Sequence, residues 1–275
     1  MSRFLTRLRE DRVLLFSLLT ALAAALACTL RTLAFFTAFD ADIGYFRTAS
    51  VLVIASGVCT VVCLGLGVTV SFLINIRGVS DEKNALSSPR FATAAANAIL
   101  FAVVALLTIF RAEVIPASAT LVLLAGICLL ASAAYFLLRL LNSSTKSAAT
   151  FGFFTILAPA MMLGVTYFDR YTQMNAPHKL SLHLCALAVM FAMLYEERAL
   201  LSRPLPRACA VATTVAASLC AIYALSNAIA FLGGVYDDLT YFLFDLITLG
   251  FAAWFITKCA RRPVTPNAKQ EEVAE

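Results

Sequence analysis

The chain has 275 residues, 61% of them hydrophobic and only 13% charged, with 21 Phe and a net charge of +5; its mean hydropathy is +0.89. A soluble domain is excluded, since it needs far more polar surface to stay in water. The basic excess calls for no nucleic-acid partner, because its placement along the chain reads as membrane topology.

Eight long apolar runs with at most one charged residue each occur, at about 13–36, 48–74, 92–110, 116–141, 149–168, 180–195, 208–232 and 239–257. Spanning hydrocarbon takes roughly 20 residues of helix, and in lipid the backbone must satisfy its own hydrogen bonds. Runs such as ATLVLLAGICLLASAAYFLL lack the alternation of barrel strands. The expected fold is all-α: a polytopic transmembrane bundle of about eight spans. A cytoplasmic interfacial segment (1–12) would precede the eight-span domain (13–258), and a cytoplasmic disordered tail (259–275) would follow it.

Orientation comes from the basic residues. With the N-terminus inside, cytoplasmic segments carry Arg3, Arg7, Arg9, Arg12, Arg77, Lys83, Arg90, Arg139, Lys146, Arg198, Arg203, Arg207, Lys258, Arg261, Arg262 and Lys269. Arg47, Arg111, Arg170 and Lys179 fall outside, and Arg31 lies within the first span. Sixteen against four places both termini in the cytoplasm, in a multi-pass cell-membrane protein, with a bacterial plasma membrane the expected location.

In chain order, SRFLTRLREDR reads as a short interfacial helix through Phe4, Leu5 and Leu8. ALAAALAC (21–28) resembles a lipoprotein cleavage site, but Ala25 stands where leucine is usual and the apolar stretch continues past Arg31 to Phe39. The segment is therefore expected to stay as a span. Cys59 and Cys63 share a helix face without a CxxC or a nearby His, and read as small packing residues. All eight cysteines lie in spans or at their cytoplasmic ends, so no extracellular disulfide framework is expected. The longest internal loop, 76–91, is too short for a soluble domain, so any signal must pass to a separate protein on the cytoplasmic face.

The fifth span carries Pro159, expected to kink it. DRYTQMNAPHK (169–179) is an outer loop, with Asn175, Ala176 and Pro177 turning into a short sixth span. Glu196 and Glu197, followed by arginine, are similar to the EExxxR motif of CAAX-type intramembrane proteases. The register puts Leu201 where arginine is needed, and no histidine follows His183. The pair is therefore read as charged residues ending the sixth span at the interface. The seventh span has small residues at helical spacing (Ala210, Thr214, Ser218; Ala212, Ala216) suited to close packing. Aromatic-Asp exits at 35–40 and 166–169 hint at a four-plus-four repeat, but their spacings differ and nothing else aligns.

Ionisable groups within hydrocarbon cost several kcal/mol unless paired or hydrated. Arg31, His183 and Asp245 are such groups, and with Asn227 they fall in one layer, Arg31 and Asp245 roughly 10–13 Å below the outer loops. Asp169, Asn175 and His178 would cap it from above. This set is the candidate ligand-binding site, with Arg31 for an anionic group and Asp245 as counter-ion or proton-coupling carboxylate. The alternative is an Arg31–Asp245 ion pair that only fixes packing. A buried pair is weak evidence for stability, which favours binding. His178 and His183 are five apart and do not form a helical metal pair, so no metal or cofactor is expected. No HExxH, GxGD, GxSG or P-loop pattern marks catalysis.

MNAPHKL after Asp169, and GYF (44–46) after an outer acidic loop, resemble uncharacterised multi-span membrane proteins of anaerobic Gram-positive bacteria. The resemblance covers only these short motifs and implies no activity. The functional expectation is binding or transport of a small solute from the outer side. A sensor or accessory subunit signalling to a cytoplasmic partner is the alternative, and a membrane-embedded enzyme comes third.

Overall fold

A computed structural model describes residues 2–40, 43–47, 50–73, 88–115, 117–141, 145–201 and 205–259. Eight helices follow one another: α1 (Ser2–Ala38), α2 (Val51–Leu73), α3 (Ser88–Phe110), α4 (Ala119–Leu140), α5 (Thr145–Tyr167), α6 (Pro177–Leu200), α7 (Pro206–Leu232) and α8 (Leu239–Cys259). Each is long and apolar enough to cross a membrane, so the chain is a multi-pass helical membrane protein. The side chains of Phe4, Leu5 and Leu8, residue Asp42, loop residues 76–87 and the tail beyond 259 lie outside the described residues.

Local chemistry sets the helix boundaries. Pro177 and Pro206 occupy first-turn positions of α6 and α7, where a missing N–H costs nothing. α7 ends at Gly233, followed by Gly234 at φ +71°. α5 runs through Pro159 without a break in helix assignment. Hydroxyls inside the spans return to carbonyls of their own helix, as Thr60 does to Ser56, Thr108 to Val104 and Ser132 to Cys128. That is how these polar residues are accommodated in an apolar helix.

The sixth span departs from expectation. Rather than sixteen residues ending before Glu196, α6 has 24 and carries Glu196 and Glu197 inside the helix. Both glutamates are buried, so their charge does not mark the end of the span.

Helices α3, α4, α5, α6 and α8 enclose an aromatic core in which Phe101, Phe136, Phe251 and Trp254 meet edge to face or tilted. α8 packs against α3, α6 and α7, and two-thirds of its span is buried against 11% for α1. The α1–α2 hairpin attaches to this body through α7. Gly67 of α2 lets Thr214 approach, and the Ser71 hydroxyl donates to Thr214 Oγ1 at 3.1 Å, using the small-residue face of the seventh span. Cys63 is buried in the same seam, with its thiol toward the Thr20 carbonyl.

The two halves are not equivalently placed. α7 packs against α1 and α2, yet α3, its counterpart in a four-plus-four repeat, makes no comparable contact with α5 or α6.

With eight spans, the start of α1 and the end of α8 lie at one face of the bundle, here the terminal end; the opposite face is the loop end. There a two-residue hairpin, β1 (Phe39–Asp40) against β2 (Tyr45–Phe46), joins α1 to α2. It turns through Gly44 at φ +75°, a conformation that favours glycine.

Candidate functional site

One to two turns below the loop end, α1, α6, α7 and α8 bring polar side chains into a single buried layer. Arg31 is buried, and its Nη2 donates to the Pro177 carbonyl at 3.1 Å. Its guanidinium lies over the rings of Tyr223 (4.6 Å), Phe35 (5.2 Å) and Phe46 (5.9 Å). An aromatic box stabilises a desolvated cation by about 0.5–2 kcal/mol per face but supplies no counter-charge. Asp245 is close enough to feel the arginine charge, yet among the described residues the two form no direct ion pair. The packing-only alternative therefore lacks the contact it requires.

Asn227 links the helices. Its side-chain amide donates to Ser181 Oγ at 3.0 Å, to Asp245 Oδ1 at 3.4 Å and to the His178 carbonyl at 3.5 Å, while its backbone carbonyl accepts the Tyr236 hydroxyl at 2.9 Å. His178 stacks on Tyr236 at 4.7 Å and meets Tyr241 edge-on at 5.1 Å.

Each of these four side chains keeps a buried polar atom with no hydrogen-bond partner among the described residues: Arg31 Nε, His178 Nδ1, Asn227 Oδ1 and Asp245 Oδ2. Buried polar atoms are satisfied in the great majority of cases, and each exception costs about 1–3 kcal/mol. Four exceptions in one layer, with donor and acceptor chemistry side by side, are unusual.

The other expected site residues fall elsewhere. Asp169 is buried above the layer, where Oδ2 accepts the Tyr241 hydroxyl at 3.0 Å and Oδ1 the Tyr171 N–H at 2.9 Å. Lys179 turns toward the same loop, donating to the Thr172 carbonyl at 3.0 Å. These bonds fold the 169–176 loop over the start of α6. Asn175 is exposed and takes no part. His183 faces α5 instead, where Nε2 meets Thr166 Oγ1 at 2.9 Å. Four residues beyond Lys179, it lies on a different face of α6 from His178. A cavity of about 350 Å³ opens at this end between Ala117, Ser118, Phe168, Arg170 and Tyr171; it includes none of Arg31, Asn227 or Asp245. Among the described residues, no three His, Cys, Asp or Glu side chains form a metal-binding group.

At the terminal end lies a second polar cluster that linear position concealed. Glu196, 1% exposed, accepts the Trp254 indole N–H on both carboxylate oxygens at 3.1 Å, the Tyr135 hydroxyl at 3.2 Å, and pairs with Lys258 at 3.5 Å. Arg90, also 1% exposed, lies 4.8 Å over the Trp254 ring, and its charge and that of Arg139 reach Glu196. Glu197 packs onto the backbone of α5 at Gly152, where any Cβ would collide with its carboxylate. Helices α3, α4, α5, α6 and α8 all contribute. In the sequence these residues sit near span ends and read as interfacial flanks. One available signal was their recurrence: a charged residue within two turns of the same end on α3, α4, α6 and α8.

Comparison with protein-family models, with curated proteins and with solved structures gives no match for this chain.

Proposed function

We propose that the layer around Arg31, His178, Asn227 and Asp245 binds a small solute reached from outside the cell, and that the protein carries that solute across the membrane or is the membrane subunit that binds it. The observation behind this reading is Arg31. It is a buried guanidinium with an unmatched N–H and, among the described residues, no carboxylate in direct contact, beside unmatched acceptors on Asn227 and Asp245. A desolvated cation of this kind is costly, and an anionic ligand group would match it. Asn227 Oδ1 and Asp245 Oδ2 would accept from a donor on the same solute. An amphoteric molecule such as an amino acid meets both demands, and Asp245 is placed to exchange a proton when the solute leaves.

The basic residues put the chain ends in the cytoplasm and this layer toward the outside, in a cell membrane. The 169–176 loop and the β1–β2 hairpin lie above the layer. Through Phe46, the hairpin closes one face of the Arg31 box.

The test is thermal unfolding of purified protein against small anions, amino acids and vitamins, with Arg31→Gln and Asp245→Asn in parallel. A ligand at 100 times its Kd adds about 2.7 kcal/mol. The expected result is a shift from one chemical class that both substitutions abolish, followed by uptake of that solute into proteoliposomes. Binding without uptake would make the protein a sensor or accessory subunit. No shift with any compound would overturn the binding reading.

A further inference from the structure

The cluster at the terminal end holds more positive charge than it uses. Glu196 is already matched by Trp254, Tyr135 and Lys258, and neither arginine pairs with it directly among the described residues. Among the described residues, counting Arg90, Arg139 and Lys258 against Glu196 and Glu197 leaves one positive charge in surplus.

The unmatched atoms are specific. In Arg90 they are Nε and Nη2, the two N–H groups on one edge of the guanidinium. That edge is the fork that grips two oxygens of an anion side by side. In Arg139, on the adjacent helix, it is Nε. Arg139 follows Tyr135 by one turn, and Tyr135 touches Glu196, so both arginines border the same carboxylate. Stacking on Trp254 fixes the plane of the Arg90 fork without using its N–H edge.

We propose that Arg90 and Arg139 form a second, anion-binding site that takes a phosphate group. Three unmatched donors suit the three or more oxygens of a phosphate better than the two of a carboxylate, and the surplus charge favours an anion. Arg90 is the third residue of α3 and Arg139 the last but one of α4, so the site lies near the level where bilayer phosphates sit. A lipid headgroup and a free phosphate share the chemistry that would be recognised. The site is independent of the Arg31 layer, which lies at the opposite end of the bundle.

The experiment uses the purified full-length chain in an uncharged detergent, followed by thermal unfolding and by native mass spectrometry of retained adducts. One arm adds inorganic phosphate, with chloride at matched ionic strength as control. The other adds mixed micelles of phosphatidic acid, with phosphatidylcholine as control. Arg139→Gln removes one donor from a half-buried position, and Arg90→Lys keeps the charge over Trp254 but removes the fork. We expect stabilisation in at least one arm and apparent affinity weakened about tenfold or more in each variant, as the loss of a charge-assisted hydrogen bond implies. A response lost in Arg31→Gln but kept in both cluster variants would place the anion in the Arg31 layer and overturn the proposal. A response to phosphate itself identifies a free-phosphate site, and a response to phosphatidic acid alone identifies a lipid site. No response above either control, or variants that bind as wild type does, would overturn the proposal. Should Arg90→Lys fail to fold, Arg139→Gln alone decides.

Discussion

Glu196→Gln is the sharpest test of how the terminal-end cluster is held together. The substitution preserves volume and one carbonyl oxygen but removes the charge. In the wild type both carboxylate oxygens accept from Trp254 at 3.1 Å, while Tyr135 lies at 3.2 Å and Lys258 at 3.5 Å. A glutamine must turn its NH2 toward two of these donors, the indole N–H and either the ammonium or the hydroxyl. Lys258, whose side chain is 9% exposed, would then lose its carboxylate partner with little water in reach. Breaking one side of a buried ion pair costs about 3–5 kcal/mol. Because one carbonyl still accepts, the lower end applies, so we expect about 3 kcal/mol. The measurement is the unfolding equilibrium in mixed micelles for wild type, Glu196→Gln, Lys258→Gln and the double variant. The double variant should recover about 0.5–3 kcal/mol relative to the sum of the singles, as directly coupled residues do. A Glu196→Gln protein within about 0.5 kcal/mol of wild type, or strict additivity of the two changes, would refute the reasoning.

Gly152→Ala places a methyl group where the Glu197 carboxylate lies, so the buried glutamate must move; an overpacking loss of about 1–3 kcal/mol is expected, read by the same unfolding assay. His183→Ala should leave solute-induced stabilisation unchanged, because its partner is Thr166 rather than Arg31; loss of that stabilisation would return His183 to the site. Asp238 caps α8 by accepting the Thr240 and Tyr241 N–H groups, and burial, with the Asp169 charge adding to it, lifts its carboxyl above the ordinary 3.8. A group raised in this way binds more protons folded than unfolded, so its contribution to stability is present at low pH and falls as pH rises from about 3.8 through the folded value. Asp238→Asn keeps the cap and should flatten that decline, whereas Asp238→Ala should lose about 1 kcal/mol even at low pH; equal pH profiles in wild type and Asp238→Asn would remove Asp238 as the cause.

The two polar clusters differ in how far the sequence reveals them, and the reason is geometric. Eight apolar runs are one-dimensional facts, so the helices could be read directly, as could the proline start of α6 and the small-residue seam of α7. Arg31, Asn227 and Asp245 lie one to two turns inside their spans, so their charge or polarity within hydrocarbon identified them, and helical rise placed them at a common depth. Rotation about the helix axis is not so accessible. Depth alone put His183 in the layer, but its azimuth turns it toward Thr166 on α5, and the stacking of His178 on Tyr236 depends on how the 233–238 loop folds back. At the other end the ambiguity is greater, since a glutamate near a span end looks the same whether it faces water or four neighbouring helices. What separates the cases is the company it keeps. A lone interfacial charge needs no partner, whereas Glu196 is matched by the chain's only tryptophan and by a lysine one turn further along the same helix. Trp254 and Lys258 are four residues apart, so one face of α8 delivers an indole N–H and an ammonium together. Arg90 enters from α3 over the outer face of that indole. A tryptophan followed four residues later by lysine, in a chain with a glutamate near the same end of another span, is a pattern that sequence alone could have nominated.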